Sequence, residues 1–369
     1  MLRVANIIGA RPNFMKMAPI HRLMQQSRAF EPVLIHTGQH YDERMSRVFF
    51  QQLGMPEPDL YLGVGSGSHA TQTAEAMRRL EPELERLEPD LVVVVGDVNS
   101  TLAAALVAAK LHIPVAHVEA GLRSFDRTMP EEINRILTDA ISDYLFVTEP
   151  SGVENLRREG REGDGVYLVG NVMIDSLEQH RAKASDLPIL DDLGLEPQRY
   201  ALLTLHRPAN VDDAATLERI LGALEQIQKE MPIVFPAHPR TVRRLREFNL
   251  IVRVQQMVNF KLLEPLGYLE FLRLMADARV VFTDSGGIQE ETTALGVPCI
   301  TLRENTERPI TIEAGTNVLV GTDPYKIWSA FEQIMADKAK SGKRPELWDV
   351  HAAERIVAIL ADVVGSVEN

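Results

Sequence analysis

The sequence predicts an α/β protein built from two doubly wound, Rossmann-like parallel sheets, which would enclose a cleft if their carboxyl ends face each other. Three observations carry this. Short β-rich apolar runs alternate with longer helical patterns, the signature of βαβ units. Several of the runs, LVVVV at 91–95 above all, are apolar throughout, as strands covered on both faces are. The series then restarts near residue 200, and 369 residues are enough for two such sheets.

In order, the runs of the first part place strands at Val4–Ile8, Pro32–His36, Leu91–Val95, Val115–Val118, Leu145–Val147 and Val166–Val169. Those of the second part place them at Ala201–Leu205, Ile233–Pro236, Leu262–Leu263, Val280–Thr283, Cys299–Leu302 and Val318–Val320. Between the two parts lie Gly170-Asn171, a helical stretch and the loop-like SDLPILDDLGLEPQRY. The domain boundary is therefore set near residue 170, giving an N-terminal unit over 1–170 and a second unit over 171–351. The closing helical pattern, 352–369, is expected to pack back on the first unit.

The chain carries 52 acids against 39 bases, a net charge of −13, which argues against a nucleic-acid partner. Its one cysteine, Cys299, lies in an apolar run, so it forms no intrachain disulfide and reads as a buried thiol of a cytoplasmic protein. No segment approaches the ~20 apolar residues of a membrane span, and the N-terminal apolar stretch is too short for a signal peptide. The histidines are scattered without metal-ligand spacing, and no GxGxxG follows the first strand. Neither a metal nor a nicotinamide or flavin cofactor is indicated.

Ligands of open parallel sheets bind beyond the carboxyl ends of the strands, and here those ends are polar. Arg11 follows the first strand, in GARPNFMK, with Pro12 near the first position of a helix and Lys16 one turn on. Arg11 offers a fork to a phosphate. Asp97 follows LVVVV, with Asn99-Ser100-Thr101 opening the next helix. Glu119 follows VAHV, in HVEAGLRS, with Gly121 giving a turn and Arg123 just after. Two carboxylates at neighbouring strand ends suit general acid–base work. In TMPEEINRILTDAIS, Ile133, Ile136, Leu137, Ala140 and Ile141 define an inward face, and Thr128 with Glu131 has the spacing of a capping box. His206 and Arg207 follow ALLTL, and His238 follows IVFPA.

RVVFTDSGGIQEETTALGVPCITLRENTERP, residues 279–309, is the most informative stretch. A strand ending at Asp284 leads through Ser285, a good N-cap, and Gly286-Gly287 into a helix whose first N–H groups suit a phosphate. With Ile288 and Leu295 inward, Glu291 flanks the buried face, placed for the hydroxyls of a ribose, and Glu290 points away. Arg308, beside Glu307, is a further anion clamp. GSGSH at 65–69 reads as a plain connector.

The ordered set GARPNFMKMAP, GDVNST, HVEAGLRS, MPEEINR, LTLHR, DSGGIQEE and TERP, spanning about residues 2–321, resembles the non-hydrolysing UDP-N-acetylglucosamine 2-epimerases. The resemblance implies a GT-B-like fold, a UDP-sugar substrate and often a homodimer. It implies inversion at C2 of UDP-GlcNAc to give UDP-ManNAc, through elimination of UDP, a bound 2-acetamidoglucal and re-addition. Carried over by motif, the catalytic residues are Asp97, Glu119, Glu131 and His206. Asp97 and Glu131 would form the proton-transferring pair, Glu119 would give electrostatic support, and His206 would stand near the leaving phosphate. Arg11, Ser285, Gly286 and Arg308 would hold the diphosphate and Glu291 the ribose. Lys16, Arg123, Arg207, His238 and Gly287 complete the implied substrate site. The chain departs from many relatives at Ala209, where they carry a Glu, and it reads GQHYDERM and GSGSHATQT where substrate-activated relatives carry QHR and an ERQTL-like segment. The alternatives are a 2-epimerase of a UDP-2,3-diacetamido uronic acid and a non-catalytic UDP-sugar sensor.

Overall fold

The computed structural model describes residues 1–39, 50 and 52–365. It divides into two compact units, residues 1–178 with 346–369 and residues 179–345.

Unit 1 runs β1 (Leu2–Ile8), α1 (Arg11–Gln26), β2 (Phe30–His36), β3 (Leu60–Tyr61), α2 (His69–Leu87), β4 (Leu91–Val95), α3 (Asn99–Lys110), β5 (Val115–Ala120), α4 (Pro130–Ile141), β6 (Tyr144–Val147), α5 (Pro150–Arg158), β7 (Val166–Leu168) and α6 (Val172–Ser185), in which the division between the units falls. Its seven parallel strands lie in the order β3-β2-β1-β4-β5-β6-β7. All five residues of LVVVV are buried, as the unbroken apolar run requires. On one side Ala5, Ile7, Ile35, Val92 and Val94 meet Leu80 and Leu84 of α2 and the alanines of α3. α3 is buried over nearly its whole length, which its small residues allow. Its N-cap position falls to Val98, without a side-chain cap. Ser68, in the Gly/Ser-rich loop, caps α2 by accepting from the Thr71 N–H. β3, two residues long, has no run from which a period could be read.

Unit 2 continues with α7 (Ile189–Leu193), β8 (Ala201–Thr204), α8 (Pro208–Val211), α9 (Ala214–Glu230), β9 (Ile233–Pro236), α10 (Pro239–Glu247), α11 (Ile251–Gln255), β10 (Phe260–Leu263), α12 (Tyr268–Ala276), β11 (Val280–Thr283), α13 (Gly286–Leu295), β12 (Cys299–Thr301), α14 (Pro309–Glu313), β13 (Asn317–Leu319) and α15 (Pro324–Met335). Its six parallel strands follow the same rule, β10-β9-β8-β11-β12-β13. The chain then returns to unit 1. Buried Trp348 donates from its indole N–H to the Thr148 carbonyl (3.2 Å), and α16 (Ala352–Gly365) packs on α1. The Asp175 carboxylate accepts from the Ala353 N–H (2.8 Å), placing an anion at the start of α16.

Two buried histidines make unit 1 sensitive to acid. His21 Nδ1 meets Asn6 Nδ2 (2.9 Å), and His36 Nδ1 accepts from the Gly38 N–H (2.7 Å) inside a cluster of Phe14, Phe50 and Tyr61. Burial lowers both to about 4, against a partial rise from Asp59 at His21 and from a backbone hydrogen bond at His36. The unfolded chain therefore takes up protons near pH 6.5 that the fold refuses until about pH 4. Stability from this source is complete above pH 6.5 and is lost as pH falls through that window, on the order of 3 kcal/mol per histidine over its full width. Urea midpoints of wild type are expected to drop from pH 7 to pH 5, and His36→Phe is expected to flatten that drop.

Candidate active site

In each sheet the strand order reverses beside the first strand, between β1 and β4 and between β8 and β11, and such switch points are where open α/β sheets take ligands. In unit 1, Asn13 ties the two ends together. Its Oδ1 accepts from the N–H groups of Gly9 and Ala10 (3.1 Å each), and its Nδ2 donates to the Val95 carbonyl (2.9 Å). Arg11 begins α1 at this point, and its side chain lies outside the described residues, as does the segment 40–49 that holds most of GQHYDERM. Lys16 reaches back along α1 to Glu119, Nζ to Oε1 2.7 Å, both side chains buried. Glu119 holds a left-handed backbone, φ 78°, where the β5–β6 register shifts. A bulge with a strained non-glycine residue redirects a side chain and recurs at functional positions. Gly96, φ 67°, makes the turn at the end of β4, and a Cβ there would stand 2.9 Å from Lys16 Nζ.

Asp97 is partly exposed, and its Oδ2 pairs with Arg135 Nη1 at 2.6 Å. Arg135 is held from behind by Glu132, Nη2 to Oε2 2.7 Å, and Asn134 Nδ2 donates to the Asp97 carbonyl (2.9 Å). The Glu132 carboxylate also accepts from the Ser124 N–H and hydroxyl and from the Phe125 N–H. Burial pushes Glu132 up, but the Ser124 backbone bond and Arg135 outweigh it and hold the group below the usual carboxylate range. Glu131 is half-buried in the first turn of α4, where an acid suits the helix dipole. The N-cap is Met129 with no side-chain cap, and Thr128 bonds Asp126 instead, so no Thr128–Glu131 capping box forms.

The orientation of α4 is opposite to the one its apolar spacing predicts. Ile133 (41%) and Leu137 (44%) are exposed, and the buried residues are Glu132, Asn134, Arg135, Thr138 and Asp139. Glu132 and Arg135 pair with each other, Asn134 bonds the Asp97 carbonyl, and Asp139 pairs with His117 and Arg123, which is what permits their burial. Asn134, Arg135 and Asp139 are the site residues that sequence reasoning missed. Arg123 is buried with its guanidinium on Asp139 and Glu159 (2.7 Å each).

In unit 2 the loops after β8 and β11 meet at Asp284, which is fully buried. It accepts from the N–H groups of His206 and Arg207 (3.0 and 2.9 Å) and from Asn210 Nδ2 (3.2 Å). His206 Nδ1 lies 3.0 Å from Asp284 Oδ1, and the ring is 42% exposed. Burial pushes Asp284 up, yet the charge and hydrogen bonds of His206 and the Arg207 N–H keep it below the usual range. Such a carboxylate fixes an imidazole's orientation. Ser285 takes the N-cap position of α13, and its side chain makes no cap bond. The carboxylate of Glu307 approaches there instead, so close that a Cβ on Gly286 would overlap Oε1. Arg303 binds Glu307 at 2.7 Å, with Arg207 3.7 Å away. Gly287 follows within the first turn.

Glu290 does not point outward. It is wholly buried and pairs with Arg308 Nε at 2.7 Å, while Ile288 and Leu295 are only half-buried. α13 is enclosed by α12, α14 and the sheet, so both of its acids and Gln289 are inside. Gln289 Oε1 accepts from Thr306 and Asn317 (2.7 and 3.0 Å). Glu291 accepts from the Tyr268 hydroxyl (3.1 Å). His238 is exposed, and its Nδ1 caps α10 by accepting from the Arg240 N–H (3.2 Å).

Residues 22–361 match the model of the UDP-N-acetylglucosamine 2-epimerase family. This chain belongs to the UDP-N-acetylglucosamine 2-epimerase family. It is 46% identical to the UDP-N-acetylglucosamine 2-epimerase of Methanocaldococcus jannaschii over 97% of its own length and 99% of that protein's. Among solved structures, that of the M. jannaschii enzyme in complex with UDP-GlcNAc and UDP matches with a TM-score of 0.92, covering 98% of this chain and 100% of the other at 45% identity. A UDP-2,3-diacetamido-2,3-dideoxy-D-glucuronate 2-epimerase of Pseudomonas aeruginosa is 42% identical over 87% of this chain and 88% of its own. The epimerase family thus shares the GT-B-like pair of doubly wound parallel-sheet units described above.

Proposed function

We propose that this chain interconverts UDP-GlcNAc and UDP-ManNAc, without a metal or cofactor, by anti-elimination of UDP across C1–C2 and re-addition to the bound 2-acetamidoglucal. The observation that carries this reading is the pair of carboxylates at adjacent strand ends, Asp97 against Arg135 and Glu119 against Lys16. The C2 hydrogen is too weakly acidic for simple enolisation, so the reaction needs a positioned base, a positioned acid and charge that steadies an oxocarbenium-like centre. Asp97 and Glu131 are assigned the two proton transfers and Glu119, with its ammonium partner, the electrostatic support. His206, fixed by Asp284, serves the departing and returning phosphate. Arg11, Ser285, Gly286, Gly287, Arg207 and Arg308 serve the diphosphate and Glu291, on Tyr268, the ribose. A bound diphosphate competes with Glu307 for the start of α13. Arg123, already held by two carboxylates, is assigned a bracing role.

The partner in solution is proposed to be a second copy, supported by the exposed apolar residues Ile133 and Leu137 of α4, and the site of action the cytoplasm. No helix among the described residues is long and apolar enough to cross a membrane. The substrate assignment is tested by NMR on UDP-GlcNAc and the UDP-2,3-diacetamido uronate in parallel. Equilibrating signals of UDP-ManNAc are the expected result. Turnover of the uronate alone would move the substrate to the second reading.

A further inference from the structure

His117 of β5 is fully buried, and neither of its ring nitrogens faces substrate space. Nδ1 lies 2.7 Å from Asp139 Oδ1 on α4, and Nε2 lies 2.8 Å from the carbonyl oxygen of Gly96. Both partners are hydrogen-bond acceptors, and the ring is held at its two nitrogens between them. The other Asp139 oxygen takes the Gly121 N–H (3.0 Å) and Arg123 Nη2 (2.7 Å). One buried carboxylate thus reaches both strand-end turns, that after β4 through the imidazole and that after β5 directly.

Of the residues in those turns Glu119 carries backbone strain, a left-handed φ on a residue with a Cβ. Gly96, Glu119 and Gly121 all have left-handed backbones, φ 67°, 78° and 80°. β4 and β5 pair through Val94↔His117 and Val95↔Val118, and the Gly96 N–H still bonds the Val118 carbonyl (3.0 Å). Past that point the two strands part, and a left-handed non-glycine conformation such as that of Glu119 persists only where the surroundings over-determine it. Asp97 follows Gly96 directly, and Glu119 lies two residues before Gly121.

We propose that the Asp139–His117 pair is a positioning device that fixes the Gly96–Asp97 peptide and thereby holds the Asp97 carboxylate in register with Glu119. The inference rests on the epimerase reading of these two acids, so wild-type turnover of UDP-GlcNAc is the control. In His117→Phe the ring volume stays and the tether is lost. The expected fall in kcat is about 100-fold, the size of effect that a misplaced reacting group produces, with KM and the Kd for UDP nearly unchanged. His117→Gln keeps an N–H where Nε2 stood and is expected to recover about tenfold of that loss. A role in folding alone would lower Tm in both variants without this split and without the recovery. More than half of wild-type kcat in His117→Phe, or no recovery in His117→Gln, overturns the proposal. Should His117→Phe not fold, Asp139→Asn decides by the same criteria: kcat is expected to fall with UDP binding kept, and wild-type kcat overturns the proposal. Amide exchange over residues 95–98 gives a reading independent of turnover. Faster exchange in His117→Gln or Asp139→Asn supports the tether, and unchanged exchange refutes it even if wild type proves inactive on UDP-GlcNAc.

Discussion

Asp97→Asn is expected to lower kcat for UDP-GlcNAc epimerisation by about 10³-fold while leaving the Kd for UDP within about twofold. The amide matches the carboxylate in size and can still accept from Arg135, which also keeps its buried partner Glu132. What disappears is the ability to take or give a proton at a group that is partly open to solvent. Ser285, Gly286 and Glu291, proposed above to hold the nucleotide, belong to the other unit and are untouched. Steady-state turnover and UDP titration calorimetry on the same preparation make the comparison. A variant that keeps more than a tenth of wild-type kcat would remove Asp97 from the proton-transfer pair.

A large stability effect is expected at Gly121. Its φ of 80° is costly for any residue with a Cβ, about 1–2 kcal/mol. A Cβ there would also overlap the Gly152 carbonyl oxygen and lie 2.8 Å from the Gly152 carbonyl carbon, all of it backbone of α5 that cannot turn aside. Overpacking of this kind adds about 1–3 kcal/mol. Gly121→Ala is therefore expected to destabilise unit 1 by roughly 3 kcal/mol, a fall in Tm on the order of 10 °C for a unit of this size. Gly160 is the control, because it has a similar φ of 79° and a Cβ there would meet nothing within 4 Å. Gly160→Ala is expected to cost only the backbone term, about 1 kcal/mol. Equal losses in the two variants, read by thermal unfolding, would contradict the packing argument.

The strands were legible because a parallel sheet covered on both faces leaves runs such as LVVVV, and every predicted run became a strand. The residues at the strand ends were legible for the same reason, since a polar side chain immediately after such a run has few structural uses. α4 was misread because hydrophobic periodicity assumes that the apolar stripe faces inward. Ile133 and Leu137 have helical spacing, but Glu132, Arg135 and Asp139 share an equally regular face, and the Glu132–Arg135 pair together with the Asp139 pairs to Arg123 and His117 allows that face to be buried. A regular polar face of alternating charge next to a strand-end acid was the available signal. Glu290 failed for a related reason: a phase argument assigns one buried side, and α13 is enclosed on several. The Glu307 carboxylate at the start of that helix comes from a loop 21 positions beyond Gly286, a long-range contact with no local pattern to announce it.

Incubation with UDP-GlcNAc in D2O, followed by proton NMR, tests the central claim directly. If carboxylates of unit 1 exchange the C2 proton through an elimination, UDP-ManNAc appears with deuterium at C2, and the recovered UDP-GlcNAc becomes deuterated there as well. UDP-ManNAc that retains the original C2 hydrogen, or release of free sugar and UDP with no deuterium at C2 of the remaining substrate, would contradict it.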